Sequence, residues 1–331
     1  MAGRHGPGAL GRALVAAAVL GISWATVDGD VLTRAGNECA LAPGALTVDD
    51  LPAGSSVLNC AAVGRLLTHQ GAGVTVPEPG MKVTVDSLAV DGSRHGFSLE
   101  VGADGTVSYD LPDDAGSEEH AHAAGPAAAS RAACADGAYA LADHKEYGTY
   151  DWWLGDDALP GNLSAAEARR AFEGAIGTIT GTRNKCGFGD VVGARSKYHG
   201  RTHHEADIDQ QARCTARDHL SVWDAGALSP GVVATTCSWS RSVKGGGPDW
   251  LKEADVRFNT RHYTFTNNPT GDCKNAYDIS SVATHEAGHV FGLAHVGSGH
   301  EGQTMFTNSF ACSTSARSLG RGDVLGLRAL Y

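Results

Sequence analysis

Residues 279–295 read ISSVATHEAGHVFGLAH. The first part has the pattern of a helix: Asp278 or Ser280 can cap it, and Ile279, Val282, Ala283 and Val290 supply apolar contacts. His285 and His289 stand four apart, so on a helix both imidazoles project from one face. Two neutral imidazoles on one face can chelate one zinc ion. Glu286 follows the first of them and is within reach of a metal-held water without being a ligand. Gly292 lies three residues past His289, and His295 three past that. Glycine adopts positive φ at low cost, so the chain can end the helix, turn back and bring His295 to the metal. Three imidazoles leave one coordination position open, as a catalytic rather than a structural zinc requires.

The segment HEAGHVFGLAH resembles the HExxHxxGxxH signature of the metzincins and is most similar to that of the matrixins. Thr304-Met305-Phe306, ten residues after His295, fits the family's methionine turn. Gly322-Asp323-Val324-Leu325-Gly326-Leu327 through Leu330-Tyr331 resembles its closing helix. Glu253 to Asn259 resembles its edge strand, which binds extended substrate by strand pairing. The resemblance covers roughly the last 200 residues. It implies an α+β, metzincin-like catalytic domain, with a twisted mixed sheet, an active-site helix and a C-terminal helix. It also implies His285, His289 and His295 as zinc ligands, Glu286 as catalytic base, and an S1′ pocket walled partly by the segment after Met305. This sequence departs from the family at Val296, where matrixins usually carry Ser, and in a slightly longer loop from His295 to Met305. It lacks the PRCGxPD motif that places a Cys on the zinc. Cys39 or Cys60 could serve instead only by leaving an odd cysteine, so disulfides are the better reading of both.

Upstream of the His motif, residues 134–331 carry most of the aromatic residues, including Trp152, Trp153, Trp223, Trp239 and Trp250. Ser164 to Ile179 predicts a helix: Ser164 and Glu167 form a capping box, and Ala168, Phe172, Ala175, Ile176 and Ile179 make an apolar stripe. Strands are expected at His219–Trp223, Val232–Trp239 and Ala254–Asn259. A helix, then strands, then a second helix give an α+β domain. His199, His203, His204 and Asp207 loosely resemble a structural zinc region of some matrixins, but their spacing fits an exposed polar loop better. A structural Ca2+ or second Zn2+ is left open.

Residues 30–111 form a small β-rich N-terminal region. Lys82–Val85, Phe97–Val101 and Thr106–Tyr109 alternate, with Asp, Gly and Ser between them. It carries no visible chemistry and is read as a propeptide or inhibitory region rather than a binding module. Residues 112–133 (PDDAGSEEHAHAAGPAAASRAA) read as a flexible linker, since they lack large apolar residues, and as a processing site. His120 and His122 belong to that linker. Residues 1–29 read as a secretory signal peptide, with Arg4, His5 and Arg12 ahead of a short apolar run, Ala13 to Ala25. That run is shorter than the roughly 20 residues of a membrane span.

The 331 residues are 42% apolar, enough for a sizeable core. The net charge of −11 argues against nucleic acid or an anionic membrane as partner. Eight cysteines without a Cys-x-x-Cys pair suggest disulfides in an exported chain. Eight allow 105 pairings, so connectivity stays open; Cys39 with Cys60 and Cys273 with Cys312 are put forward. Together these readings give a secreted, extracellular, monomeric zinc-dependent endopeptidase acting on protein or peptide substrates. It hydrolyses them through a zinc-activated water, with Glu286 as general base. The alternative is a secreted, non-catalytic binding or adhesive protein with a metalloprotease-like domain.

Overall fold

The computed structural model describes residues 39–93, 95–111, 133–269 and 271–331. The expected signal peptide and all of the linker but Ala133 lie outside them. The N-terminal part contributes β1 (Leu46–Thr47), β2 (Leu66–His69), β3 (Ala72–Thr75), β4 (Met81–Ala89), β5 (His95–Val101) and β6 (Val107–Asp110). Next come β7 (Ala140–Leu141), β8 (His144–Lys145), β9 (Thr149–Gly155), α1 (Ala165–Thr180), β10 (Arg195–Thr202), β11 (Val222–Gly226), β12 (Val232–Arg241) and β13 (Asp249–Asn259). The remaining elements are β14 (Thr264–Thr266), β15 (Ala276–Asp278), α2 (Ile279–Val290), β16 (Leu293–Ala294) and α3 (Arg321–Leu330).

One sheet dominates. Its strands are hydrogen-bonded in the order β10-β9-β11-β13-β12-β4-β5-β6, and β8 lies beside the start of β13. From β10 to β13 neighbours run parallel; from β13 through β12 to β6 they run antiparallel. The fold is therefore the α+β, mixed-sheet architecture expected, with α2 over the sheet and α3 near the C-terminus.

Strand alternation explains the layers. On β13, Ala254, Val256 and Phe258 join a core with Phe172 and Ile176 of α1 and Val282 and Ala287 of α2. The intervening Glu253, Asp255 and Arg257 point the other way, where Arg257 donates to Asp224 Oδ1 at 2.8 Å. A second core joins Leu67, Val74, Val83, Val85 and Phe97 to Val222, Cys237 and Trp239. Residues before and after the linker thus bury their apolar surface together, at about 1.5–3 kcal/mol per large side chain.

α1 begins with the expected capping box: Glu167 N donates to Ser164 Oγ at 3.3 Å, and Ser164 N to Glu167 Oε2 at 3.0 Å. The strand expected at His219–Trp223 is displaced to Val222–Gly226, because His219 adopts a φ of 75° that breaks extended structure. The edge-strand reading of Glu253–Asn259 does not hold. β13 is interior, flanked by β11 and β12, and its second half is buried on both faces, as an inner strand requires. β10, RSKYHGRT, is a mostly exposed polar strand that carries no alternation to read.

Four disulfides close the chain: Cys39–Cys60, Cys134–Cys186, Cys214–Cys237 and Cys273–Cys312. The first and last are the two put forward from the sequence. Among the described residues no helix is long and apolar enough to cross a membrane.

Candidate metal centre

Asp278 starts α2 as its N-cap, with Oδ2 accepting from Ser281 N at 2.9 Å and from Arg317 Nε at 2.7 Å. The helix ends at Phe291, and Gly292 turns the chain with a φ of 92°. A Cβ at Gly292 would lie 1.9 Å from the carbonyl oxygen of His144, so only glycine fits there. His144 holds the helix end from the other side: its Nε2 donates to the carbonyl oxygens of His289 at 3.1 Å and Val290 at 3.3 Å. β16 then pairs with β7 and delivers His295.

The three imidazoles meet. Nε2 of His285 lies 2.9 Å from Nε2 of His295, and Nε2 of His289 lies 3.1 Å from each of the others. Nδ1 of His285 donates to Thr304 O at 2.8 Å, and Nδ1 of His289 to Leu293 O at 3.0 Å. Those carbonyls fix the tautomer, leaving Nε2 of both rings as inward acceptors. Burial, then His289, holds His285 well below the usual imidazole range; burial pushes His289 down to about 4. Neutral acceptors facing one another inside the protein fit a cation between them and not a hydrogen-bond network. Tetrahedral zinc with bonds of about 2.0–2.1 Å separates its ligand nitrogens by roughly 3.3 Å, close to the spacing seen.

Glu286 is fully buried beside the triad. Its Oε2 accepts from Thr236 Oγ1 at 2.6 Å, while Oε1 has no hydrogen-bond partner among the described residues. Burial pushes Glu286 up to about 8; the Thr236 bond opposes this and nearby Asp86 adds to it. Asp86 Oδ2 lies 3.7 Å from His289 Nδ1. Burial pushes Asp86 up to about 7.

Met305 lies under the helix. A Cβ on Gly288 would come 2.2 Å from Met305 Sδ, so the glycine is what lets the two pack. The turn carrying Met305 is tied to α3 by Asp323, whose carboxylate accepts from Thr304 N at 2.8 Å, Met305 N at 3.2 Å and Gly320 N at 2.7 Å. The same turn thus anchors His285 through Thr304 O and meets α2 through Met305. A small pocket beside it, about 20 Å3, is lined by His285, Phe306, Asn308, Phe310 and Ser313.

A sequence profile described as Matrixin matches residues 166–331. The chain belongs to the matrixin family. Its relatives are metalloproteases acting on peptides and typically binding zinc, and the buried His triad of this matrixin is a group that could hold such an ion. No curated protein matches the chain.

The second His cluster of this matrixin does not converge. His199 pairs with Asp151, His203 with Asp156 and His204 with Asp218, each with its own carboxylate. Asp207 instead gathers with Asp218 and Glu253, with one oxygen of each within 4.8 Å of the others. Cys39 and Cys60 are bonded to each other, so neither offers a thiolate. Thr236, His144 and Asp86 escaped the sequence reading. Strand alternation could have marked Thr236 and Asp86 as facing one side of a strand, but not what that side meets.

Proposed function

We propose that this matrixin is a secreted zinc-dependent endopeptidase in which His285, His289 and His295 hold the metal through Nε2 and Glu286 is the general base. The observation that carries this reading is the convergence of the Nε2 atoms of three imidazoles beside a buried carboxylate with one oxygen unpartnered among the described residues. When bound, zinc supplies Lewis acidity that lowers the pKa of a coordinated water toward about 7 and stabilises a developing oxyanion. Glu286 has Oε2 held by Thr236, which leaves Oε1 without a partner among the described residues. Burial favours its neutral form, and a cation at the triad favours the carboxylate, so it can take a proton from the attacking water and return it to the leaving nitrogen. The four disulfides support an extracellular site of action. The retained Glu286 favours an enzyme over a non-catalytic adhesive protein.

Cleavage of a casein-type substrate tests this, with the purified protein assayed before and after limited proteolysis. Activity should vanish on chelation and return with zinc. Cleavage unaffected by the chelator would contradict a metal-dependent mechanism.

A further inference from the structure

Between His289 and His295 the chain leaves α2, bends at Gly292 and enters β16. The last turn of a helix leaves carbonyls that the helix itself does not satisfy. Two of them here, on His289 and Val290, are met by Nε2 of His144 at 3.1 and 3.3 Å. Both partners are carbonyl oxygens, so Nε2 is the donor to both. The neighbours of His144 grip the rest of the bend. Ala142 N donates to Gly292 O at 2.9 Å, and Ala140 and Leu141 pair with Ala294 and Leu293. Residues 140–144 thus hold five of the six residues from His289 to Ala294.

His144 is itself fixed to the main sheet, where β8 sets it opposite Asp249 of β13. Its ring therefore joins the sheet to the end of the active-site helix. The residue is 1% exposed, and Nδ1 is buried with no hydrogen-bond partner among the described residues. A buried polar atom left unpaired costs stability, so packing alone would favour an apolar side chain at this place. What the imidazole adds is the donor at Nε2.

Resting on the function proposed above, we infer that His144 is a positioning residue of the metal centre. It fixes the carbonyls of His289 and Val290, and through them the bend that brings His295 Nε2 to 3.1 Å from His289 Nε2. It acts on two ligands at once, by way of the backbone that carries them. Groups that orient metal ligands from outside the first ring of contacts change metal affinity by about 10–100-fold.

Two amide substitutions isolate the donor. In His144→Gln the side-chain nitrogen reaches the place of the imidazole Nε2; in His144→Asn it is one carbon short. The full chain is stripped of metal and titrated with zinc, and separately with cobalt, whose visible absorption reports ligand geometry. Amide exchange is measured without metal at residues 289–294, with residues 254–258 as the control for folding. His144→Asn should weaken zinc binding by about 10–100-fold, shift the cobalt bands and speed exchange at 289–294, with 254–258 as protected as in the parent. His144→Gln should restore most of each loss. An Asn variant with the parent's zinc affinity and cobalt spectrum would overturn the inference, even if it melts lower, and so would equal loss in both variants. A parent chain that takes up neither metal would count against the zinc peptidase reading. Exchange at 289–294, faster in Asn and restored in Gln, would then still uphold the hold of His144 on the bend; unchanged exchange would overturn it.

Discussion

Thr236 Oγ1 stands 2.6 Å from Glu286 Oε2, joining the middle of β12 to the proposed base across 50 residues of sequence. Because the carboxylate is buried, this bond both orients it and offsets part of the cost of its charge. A hydrogen bond to a charged group contributes about 1.5–3 kcal/mol, or roughly 10–100-fold in rate. Thr236→Val should lower kcat by that range with KM and zinc content near those of the parent. Thr236→Ser, which keeps the hydroxyl, should recover most of the loss. Equal loss in both variants would mean that shape at this position, not the hydroxyl, is what matters.

Gly288 and Met305 make a second testable contact. Adding a methyl at Gly288 drives it to 2.2 Å from Met305 Sδ. Overpacking of this kind costs about 1–3 kcal/mol, so thermal unfolding of Gly288→Ala should begin several degrees lower. Met305→Ala alone leaves a cavity. The double variant should be more stable than the sum of the two changes, because the new methyl enters the space the Met gives up. Strict additivity in calorimetry would show that the two side chains do not share that space.

The Asp207–Asp218–Glu253 group gives a pH dependence of defined sign. Burial raises both Glu253 and Asp207 above the ordinary carboxylate range; Asp218 adds to this at Asp207, while at Glu253 the nearby Arg217 opposes it and Asp207 adds to it. In the window that opens near pH 4, the unfolded value, and closes at the raised folded values, the folded chain binds more protons than the unfolded one. Its stability contribution is therefore present at acid pH and is lost as pH rises through that window. In chelator, the melting temperature should fall with rising pH there, and Glu253→Gln should flatten the fall. A parent curve no steeper than that of the variant would mean the carboxylates are not raised.

The parts of the centre legible in sequence were those built from neighbours along the chain. The four-residue spacing of His285 and His289 and the bend at Gly292 are local, as is the capping box of Ser164 and Glu167 elsewhere in the fold, and local geometry follows from local residues. Thr236, Asp86 and His144 reach the centre through strand pairing and helix docking. His144, for example, contacts His289 from 145 residues away, and no spacing rule connects them. β13 was misplaced as an edge for the same reason: a strand's own residues report whether its faces are buried, not which strands lie beside it. The pairing of β4 with β12 lay equally out of reach, since each reads as a strand and neither names its partner.

The most direct measurement pairs metal content with catalysis in Glu286→Ala, assayed before and after limited proteolysis. The protein should keep one zinc per chain, since no imidazole is altered, and should lose peptide hydrolysis by at least about 1000-fold, on the scale of a lost general base. Hydrolysis at the parent rate with zinc in place would contradict the role given to Glu286, and a parent protein that binds no zinc at all would contradict the triad.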